Sequence, residues 1–370
     1  MDEQSRRQVP GEFRIVKYDV RDFIGDYRSM EYGDPNEART AQLRDEFDLE
    51  RVVAHCDSEF DGFLALKRWV RSRWNHGWSH SFDKVKDALD ILREAARGEL
   101  FTCGYYTLVL AQCATALGWP ARRVGISLAD CEFPRDYRLG NIGHSVAEMW
   151  SNEREKWVLM DPDTNVHYER DGVPLNALEI RDAWLGGCAD EVRMIQDQPP
   201  PVVPSGRTVE ILRERMAYLR DYDDQAVRLL LERFGRHRMM DYYARVAIAG
   251  REWVDDRCLP TFIKHFGAAG ETRWTSSMAD MYWSVNMVRI SAAAEWDESG
   301  ARLKVSLDHC MPFFDHYEVR VDGGTWEPRS ADFDWPMHEG INSVECRGVN
   351  VMNRRGIVSS MDVAYAGPRI

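Results

Sequence analysis

The sequence predicts an α+β domain followed by an all-β domain, and three observations lead to this prediction. Apolar residues recur at helical spacing in three segments between residues 58 and 118. Short predicted strands follow over residues 123–160. From about residue 280 the apolar positions alternate instead, and Asp322-Gly323 supplies a hairpin turn. The first two patterns favour helices packed on a sheet, and the third is typical of a β-sandwich.

Each helix of the first region has its own start and stop signals. The first begins at Ser58, where Asp61 completes a capping-box-like start. The second spans about residues 83–96. The third begins with Thr102 as N-cap and ends at Gly118, ahead of a proline. Three strands are expected next, over residues 123–128, 145–150 and 156–160.

A proline-rich segment divides the chain. Its 370 residues favour two domains by length, and residues 199–206 contain four prolines, which makes them the clearest linker. Residues 208–266 have a helical pattern. We therefore expect a first domain over 1–198, a linker and helical segment over 199–278, and an immunoglobulin- or fibronectin-like sandwich over 279–370.

The composition excludes several classes of protein. A net charge of −13 argues against nucleic acid and anionic membrane surfaces as partners. No apolar run approaches the roughly 20 residues of a membrane helix, so no membrane insertion is expected. The N-terminus has no apolar signal-peptide region, which favours the cytoplasm, or a secreted or envelope protein if the chain is trimmed. Eight cysteines contain no CxxC pair, which argues against a zinc ribbon. The sequence does not specify the oligomeric state.

Cys103 is the first candidate for chemistry. It follows Thr102 and therefore lies at the first position of the third helix. A helix N-terminus lowers the pKa of a thiol, and only the thiolate is a good nucleophile. Gly104 leaves space beside the sulfur, where a planar acyl group must approach.

His144 and Asp161 are predicted to complete a site with this cysteine. They lie on adjacent predicted strands joined by a turn centred on Asn152-Glu153. That centre places His144 directly opposite Asp161, on one face of the sheet. Two further cross-strand pairs are expected under this register: Val146 with Leu159, and Glu148 with Trp157. The carboxylate would then hold one imidazole nitrogen, and the other would face Cys103.

These three residues together predict nucleophilic catalysis. Cys103 would attack a carbonyl, and His144 would carry the thiol proton to the leaving amine. The backbone N–H of Cys103 is the natural first oxyanion donor. The indole N–H of Trp74 or Trp78 is a candidate for the second donor, and Tyr105 is a candidate pocket wall.

The same segments resemble the transglutaminase-like superfamily. Phe-Thr-Cys103-Gly-Tyr-Tyr and the helix after it are similar to that family's nucleophile helix, Gly-His144-Ser-Val-Ala-Glu to its histidine strand, and Trp-Val-Leu-Met-Asp161-Pro to its aspartate strand. The resemblance covers about residues 55–175. It implies a papain-like fold with a Cys-His-Asp triad. Phe101 departs from the family pattern, since many members carry a small residue two places before the cysteine.

The resemblance implies a class of chemistry more readily than a substrate. Members include protein cross-linking enzymes, peptidases, peptide N-glycanases and amide-forming enzymes. Our leading hypothesis is hydrolysis of an amide or peptide bond through a Cys103 thioester, in a peptide, protein or other amide substrate. One alternative passes the acyl group to an amine. The other is a non-catalytic binding module on the same fold.

No cofactor and no metal site are expected from the sequence. His76 and His80 have metal-like spacing, but the intervening glycine makes a continuous helix doubtful, so we expect a loop near the site. Residues 161–172 begin like a calcium loop but have Val166 and Gly172 where glycine and glutamate are required.

Overall fold

The structure is a computed structural model of the 370-residue chain. It describes residues 11–77, 79, 84–127, 143–196, 239–255, 273–297 and 300–367. The expected linker at 199–206 and the polar loop before Gly143 lie outside these residues.

Helices predominate before residue 120 in the described part of the chain, and strands predominate after it. The α-helices are α1 (Ala38–Glu46), α2 (Leu49–Val53), α3 (Glu59–Arg71), α4 (Ala88–Ala96), α5 (Cys103–Ala116), α6 (Ala177–Leu185) and α7 (Met278–Met281). The strands are β1 (Glu12–Asp19), β2 (Ala121–Ser127), β3 (Gly143–Ser151), β4 (Lys156–Met160), β5 (Val166–Arg170), β6 (Val173–Pro174), β7 (Arg193–Gln196), β8 (Arg245–Ile248), β9 (Arg251–Trp253), β10 (Arg273–Thr275), β11 (Val288–Asp297), β12 (Gly300–His309), β13 (Phe314–Val321), β14 (Glu327–Arg329), β15 (Asp332–Pro336), β16 (Gly340–Asn350) and β17 (Ser359–Ala366). Short 3₁₀ turns occur at Tyr27–Ser29, Ala189–Glu191 and Met239–Ala244.

The chain forms two compact units. One is Met30–Tyr282, and the other combines Met1–Ser29 with Trp283–Ile370. We expected residues 1–198 to form one domain, but β1 pairs antiparallel with β17 in the second unit. The partners are about 340–355 residues apart in sequence, and nothing local in the first 30 residues indicates such a pairing.

The unit Met30–Tyr282 has the α+β architecture that the sequence predicts. Its larger sheet has the order β10-β9-β8-β2-β3-β4, and β5, β6 and β7 form a second sheet. Helix α5 packs against β2 and β3. Apolar side chains of α1–α5 and of one face of β3 and β4 form a single buried core, which includes Tyr106, Ala147 and Met160. This packing fixes the start of α5 near the ends of these strands.

The helix starts of this unit follow the sequence signals in part. Ser58 caps α3 by accepting a hydrogen bond from the Asp61 N–H, as expected. Helix α4 starts at Ala88 because Asp87 is its N-cap, and Asp83, the expected start, lies outside the described residues. Thr102 occupies the N-cap position of α5, as expected. All residues of α5 are described, and the Thr102 side chain makes no capping hydrogen bond to them.

The register of β3 and β4 differs from the expected one by two residues. Glu148 pairs with Leu159 and Trp150 with Trp157, so the expected pairs Val146–Leu159 and Glu148–Trp157 are wrong. The turn is centred one residue later than expected, between Glu153 and Arg154, since residues 152–155 form it and Glu155 has a φ of 50°. A shift of two residues preserves the face on which each side chain lies. His144 and Asp161 are therefore on the same face but are not directly opposite.

Residues 245–248 and 251–253 were expected to be helical and are strands. Strand β8 pairs antiparallel with β2, and β9 continues the sheet. The tertiary pairing overrides the local helical pattern. Much of the expected helical segment, residues 208–238 and 256–266, lies outside the described residues.

The second unit has two sheets that share one core. The five-stranded sheet has the order β1-β17-β16-β13-β14, and the three-stranded sheet is β11-β12-β15. Both contribute to one buried cluster, in which Val305 and Trp335 of the smaller sheet meet Val319 and Val344 of the larger. This arrangement is the expected β-sandwich. Its immunoglobulin-like character stays a prediction. Over the described residues, no helix combines the length and apolarity that crossing a membrane requires.

Candidate active site

The candidate nucleophile, Cys103, is the first residue of α5. Its side chain is buried, with 8% of the residue exposed. Burial alone raises the pKa of a thiol, but the hydrogen bond and positive charge of His144 outweigh it here and lower the pKa of Cys103. The environment therefore favours the thiolate, which is the reactive form.

The other cysteines with a perturbed pKa behave in the opposite way. Burial raises the pKa of Cys310 and of Cys346 to about 12, and it also raises the pKa of Cys56 and Cys113. Cys103 is set apart from these four thiols by its imidazole partner.

His144 connects Cys103 to a carboxylate. Its Nε2 lies 2.9 Å from Oδ2 of Asp161, and its ring also hydrogen-bonds the Cys103 side chain. Since Nε2 hydrogen-bonds Asp161, Nδ1 is the nitrogen that hydrogen-bonds the thiol. Burial lowers the pKa of His144, but Asp161 and Cys103 outweigh it and raise that pKa well above its ordinary value. The imidazolium form is thus favoured beside the thiolate.

Asp161 is held by a tight turn. Its backbone exchanges two hydrogen bonds with Val166, and Asn165 closes the turn with a φ of 57°. The carboxylate accepts the Thr164 hydroxyl at 2.6 Å and the N–H groups of Asp163 and Thr164. Burial raises the pKa of Asp161, but His144 and these hydrogen bonds outweigh it and lower that pKa. Asp161 therefore remains ionised and fixed in position.

A second histidine–carboxylate pair lies beside this group. His76 Nδ1 is 2.8 Å from an oxygen of Asp163. The charge of Asp163 and this hydrogen bond outweigh the burial of His76 and raise its pKa. Cys103 Sγ, a ring nitrogen of His144 and a carboxylate oxygen of Asp163 all lie within 4.8 Å of one another. Three residues from separate elements thus converge around the thiol.

The comparisons with known proteins agree with this geometry. Residues 49–162, which contain Cys103, His144 and Asp161, match the family model of the transglutaminase-like superfamily. The chain carries a transglutaminase-like core.

Individual relatives add little to the family match. No curated protein matches this chain. A transglutaminase structure from red sea bream aligns over 96% of this chain and 77% of its own, at 12% identity and a TM-score of 0.27. The transglutaminase-like core and its cluster of cysteine, histidine and aspartate are compatible with a cysteine-dependent enzyme.

Trp74, one of the two expected oxyanion donors, has a structural contact in the transglutaminase-like core. Its indole N–H donates to the Phe101 carbonyl at 3.2 Å, and its ring stacks on Tyr106 with centroids 4.2 Å apart. The Gly77 N–H donates to the same carbonyl, and His76 forms a bridge with Phe101. The indole N–H is therefore used to fix the segment that carries His76. Trp78, the other expected donor, lies outside the described residues.

The two remaining candidates flank the nucleophile. A Cβ added at Gly104 would lie 3.7 Å from a guanidinium nitrogen of Arg123 and 4.0 Å from the Ser145 hydroxyl. The space at Gly104 thus faces β2 and β3. Tyr105 is half-buried, and its ring centroid lies 5.0 Å from that of Phe101. Their roles at a substrate pocket stay predictions.

Sequence reasoning missed the roles of Asp163 and His76. The sequence places Asp163 in a segment that begins like a calcium loop and His76 on a loop near the site, and it assigns neither residue a role. The spacing Asp161-Pro162-Asp163 was a usable signal, because a turn that directs one carboxylate into a site can direct the next one there too. The pairing of His76 with Asp163 has no local signal, since the bridge to Phe101 that positions His76 spans 25 residues.

Proposed function

We propose that this protein is a cysteine-dependent enzyme that cleaves an amide or peptide bond through a thioester on Cys103. One observation carries the proposal: His144 hydrogen-bonds the thiol while its Nε2 lies 2.9 Å from the Asp161 carboxylate. This is the nucleophile–base–orienting-carboxylate relation of acyl-transfer enzymes. The substrate class is a peptide, a protein or another amide-containing molecule.

Acylation uses each group once. The Cys103 sulfur attacks the carbonyl carbon, and the proton held by His144 passes to the leaving amine as the C–N bond breaks. The backbone N–H of Cys103 has no acceptor within α5, because it is the first helical residue, and it can stabilise the oxyanion. Asp161 holds the ring in one orientation and stabilises its charged form.

Deacylation regenerates the thiol. Water loses a proton to His144 and attacks the thioester carbonyl, and the C–S bond breaks to release a carboxylic acid.

An amine acceptor is the second candidate. The carboxylate of Asp163, within 4.8 Å of the thiol and the imidazole, favours it by offering an acceptor for a hydrogen bond from the approaching amine. With an amine the same steps give a new amide.

The test compares the reactivity of the cysteines at neutral pH. Iodoacetamide should alkylate Cys103 faster than Cys56, Cys113, Cys310 or Cys346, as measured by mass spectrometry of the peptides. Cys103→Ala should remove this fast phase and lower any amidase rate by about 10⁴-fold or more. If no cysteine reacts faster than the rest, the enzyme proposal fails and the binding-module hypothesis is favoured.

A second experiment separates the two acceptors. The protein is incubated with a peptide pool and excess isotope-labelled primary amine, and the products are analysed by mass. Free carboxylates without incorporated amine indicate hydrolysis. Incorporation of the label indicates transfer. The thioester on Cys103, trapped by rapid acid quench, identifies the acyl donor in either case.

A further inference from the structure

The cluster around Cys103 has the composition of a metal site. It offers a thiolate sulfur, an imidazole nitrogen and a carboxylate oxygen from Cys103, His144 and Asp163, and all three residues are at least nine-tenths buried. They come from the start of α5, the start of β3 and the turn after β4. Three protein ligands with a fourth position left for water is a common arrangement for Zn²⁺.

The spacing of the donor atoms suits zinc. The three atoms lie within 4.8 Å of one another. In a tetrahedral zinc site, bonds of about 2.0–2.3 Å place ligand atoms about 3.3–3.8 Å apart. Closing the cluster onto an ion therefore requires shifts of roughly 1 Å or less. Magnesium and calcium prefer oxygen ligands only, so the thiol selects a softer ion.

The groups behind these ligands are also of the type that supports a metal. Asp161 binds Nε2 of His144 at 2.9 Å, which leaves Nδ1 directed to the cluster. His76 binds the Asp163 carboxylate at 2.8 Å and so fixes its orientation. Zinc-binding histidines commonly donate their other nitrogen to a carboxylate in this way.

We propose that Cys103, His144 and Asp163 bind one Zn²⁺ ion reversibly, and that the bound ion blocks the thiol. Binding forms a Zn–S bond and releases the proton shared by Cys103 and His144 to solvent. The ion is not a resident cofactor here, because it occupies the nucleophile. The binding step rests on the geometry alone, whereas the blocking of catalysis rests on the proposed function.

Cobalt gives a test that does not depend on activity. Metal-free full-length protein titrated with Co²⁺ should develop a thiolate-to-cobalt charge-transfer band in the near ultraviolet that saturates at one equivalent. Zn²⁺ should displace the cobalt and remove the band. Cys103→Ser should abolish it. Absence of the band, or its survival in this variant, would overturn the proposal.

Protection of the thiol is the second readout. At a zinc concentration about ten times the dissociation constant, alkylation of Cys103 should be about tenfold slower, and EDTA should restore it. Half-exposed Cys188 is the internal control and should react at an unchanged rate. Equal slowing of both cysteines, or of neither, would contradict the proposal.

Two variants identify the carboxylate ligand. Each is compared with its own metal-free alkylation rate, so effects on the thiol itself cancel. His76→Gln removes only the support of Asp163 and should weaken zinc binding about 10–100-fold. Asp163→Asn removes the ligand and should weaken it more. Asp190→Asn, at an exposed position, is the matched control and should bind as the unaltered chain does. Zinc affinity unchanged in both test variants would show that Asp163 is not a ligand.

Failure of this inference can be told from failure of the proposed function. A fast-reacting Cys103 that zinc does not protect would leave the enzyme proposal standing and remove the zinc site. A slowly reacting Cys103 that still gives the cobalt band would remove the enzyme proposal and leave the zinc site standing.

Discussion

Two buried charge pairs lie on the same face of the β2–β3–β4 sheet and have different consequences. One is His144 with Asp161, and the other is Arg122 with Glu148. Arg122 lies directly opposite Glu148, and the even-numbered residues of β3 share this face, so His144 is four residues along the same row. All four side chains are less than one-tenth exposed.

The two pairs differ in how many hydrogen bonds their polar atoms form to the rest of the fold. Glu148 accepts from two nitrogens of Arg122, from the Ala177 N–H and from the Tyr282 hydroxyl. Arg122 also donates to the Met281 carbonyl and lies over the Trp157 ring at 4.1 Å. An arginine does not lose its proton in proteins, so this pair does no acid–base chemistry. It joins β2 and β3 to the start of α6 and to residues 281–282. It is a structural pair.

The His144–Asp161 pair includes a group that exchanges its proton. The imidazole is held by a carboxylate on one side and meets a thiol on the other. Burial strengthens both interactions by excluding water. Burial alone therefore does not identify a functional pair. The presence of a titratable member next to a nucleophile does.

The largest expected effect comes from Asp161→Asn. An asparagine keeps the acceptor for the Asp163 and Thr164 N–H groups but no longer stabilises the imidazolium. We expect the rate of Cys103 acylation to fall about 10³–10⁴-fold, as loss of an orienting carboxylate does in such triads. Burst kinetics with a chromogenic amide measure it. Asp190→Asn is the matched control. A fall of less than tenfold would mean that Asp161 does not orient His144 or stabilise its imidazolium form.

The next effect tests the structural pair. Glu148→Leu leaves the Arg122 charge buried without its carboxylate, and we expect a loss of about 3–5 kcal/mol in the free energy of unfolding. Urea denaturation measures this loss. Below the transition, the alkylation rate of Cys103 should stay within about twofold, since this pair has no part in the chemistry. The double variant Arg122→Met with Glu148→Leu should lose less than the single variant. The reverse order of stability would show that the arginine does not depend on Glu148.

The sequence predicted this site better than its surroundings, and the reason is physical. Cys103 and His144 were found by rules that act over a few residues, namely a helix start and a strand position. The register of β3 and β4 depends on where one turn is centred, and residues 152–155, with Glu155 at a positive φ, centre it one residue later than expected. The register error was two residues, and a shift by an even number preserves the face on which each side chain lies. The prediction that His144 and Asp161 share a face is therefore still correct.

Interactions between distant segments could not be read from the sequence. Strand β1 joins β17, and His76 reaches the site through Phe101. Both depend on packing of the whole fold. The same holds for β8, where a segment with a helical pattern becomes a strand because β2 offers an edge.

A smaller effect is expected at Glu59, a half-buried carboxylate for which the described part of the chain shows no arginine partner like that of Glu148. Its side chain accepts from the Asn152 N–H at 2.7 Å, and burial raises its pKa from 4.5 to about 7, with the Glu153 charge adding to the shift. The folded state thus favours the protonated form. Its stabilising contribution is complete below pH 4.5 and is lost as the pH rises through about 7.

Glu59→Gln should remove this pH dependence. Relative to the variant, the unaltered chain should lose about 1–3 kcal/mol of unfolding free energy between pH 5 and pH 8. Urea midpoints at several pH values measure the difference, and taking the difference removes contributions from other titrating groups. Parallel stability curves for the two proteins would show that Glu59 is ionised in the fold across this range.

The smallest effect comes from Thr164, whose hydroxyl donates to Asp161 at 2.6 Å. Thr164→Val keeps the shape and the backbone N–H contact but removes this hydrogen bond to a charged group, worth about 1.5–3 kcal/mol. We expect acylation of Cys103 to slow about tenfold because the carboxylate becomes less well fixed.

Thr115→Val is the matched control, since that buried hydroxyl donates to the Tyr32 carbonyl and lies on another element. It should lose about 0.5–1.5 kcal/mol, as expected for a hydrogen bond between neutral groups, without a change in rate. In the Asp161→Asn background Thr164→Val should have little further effect on the rate, because the hydroxyl acts through that carboxylate. Additive losses would instead place Thr164 in direct contact with the reacting groups.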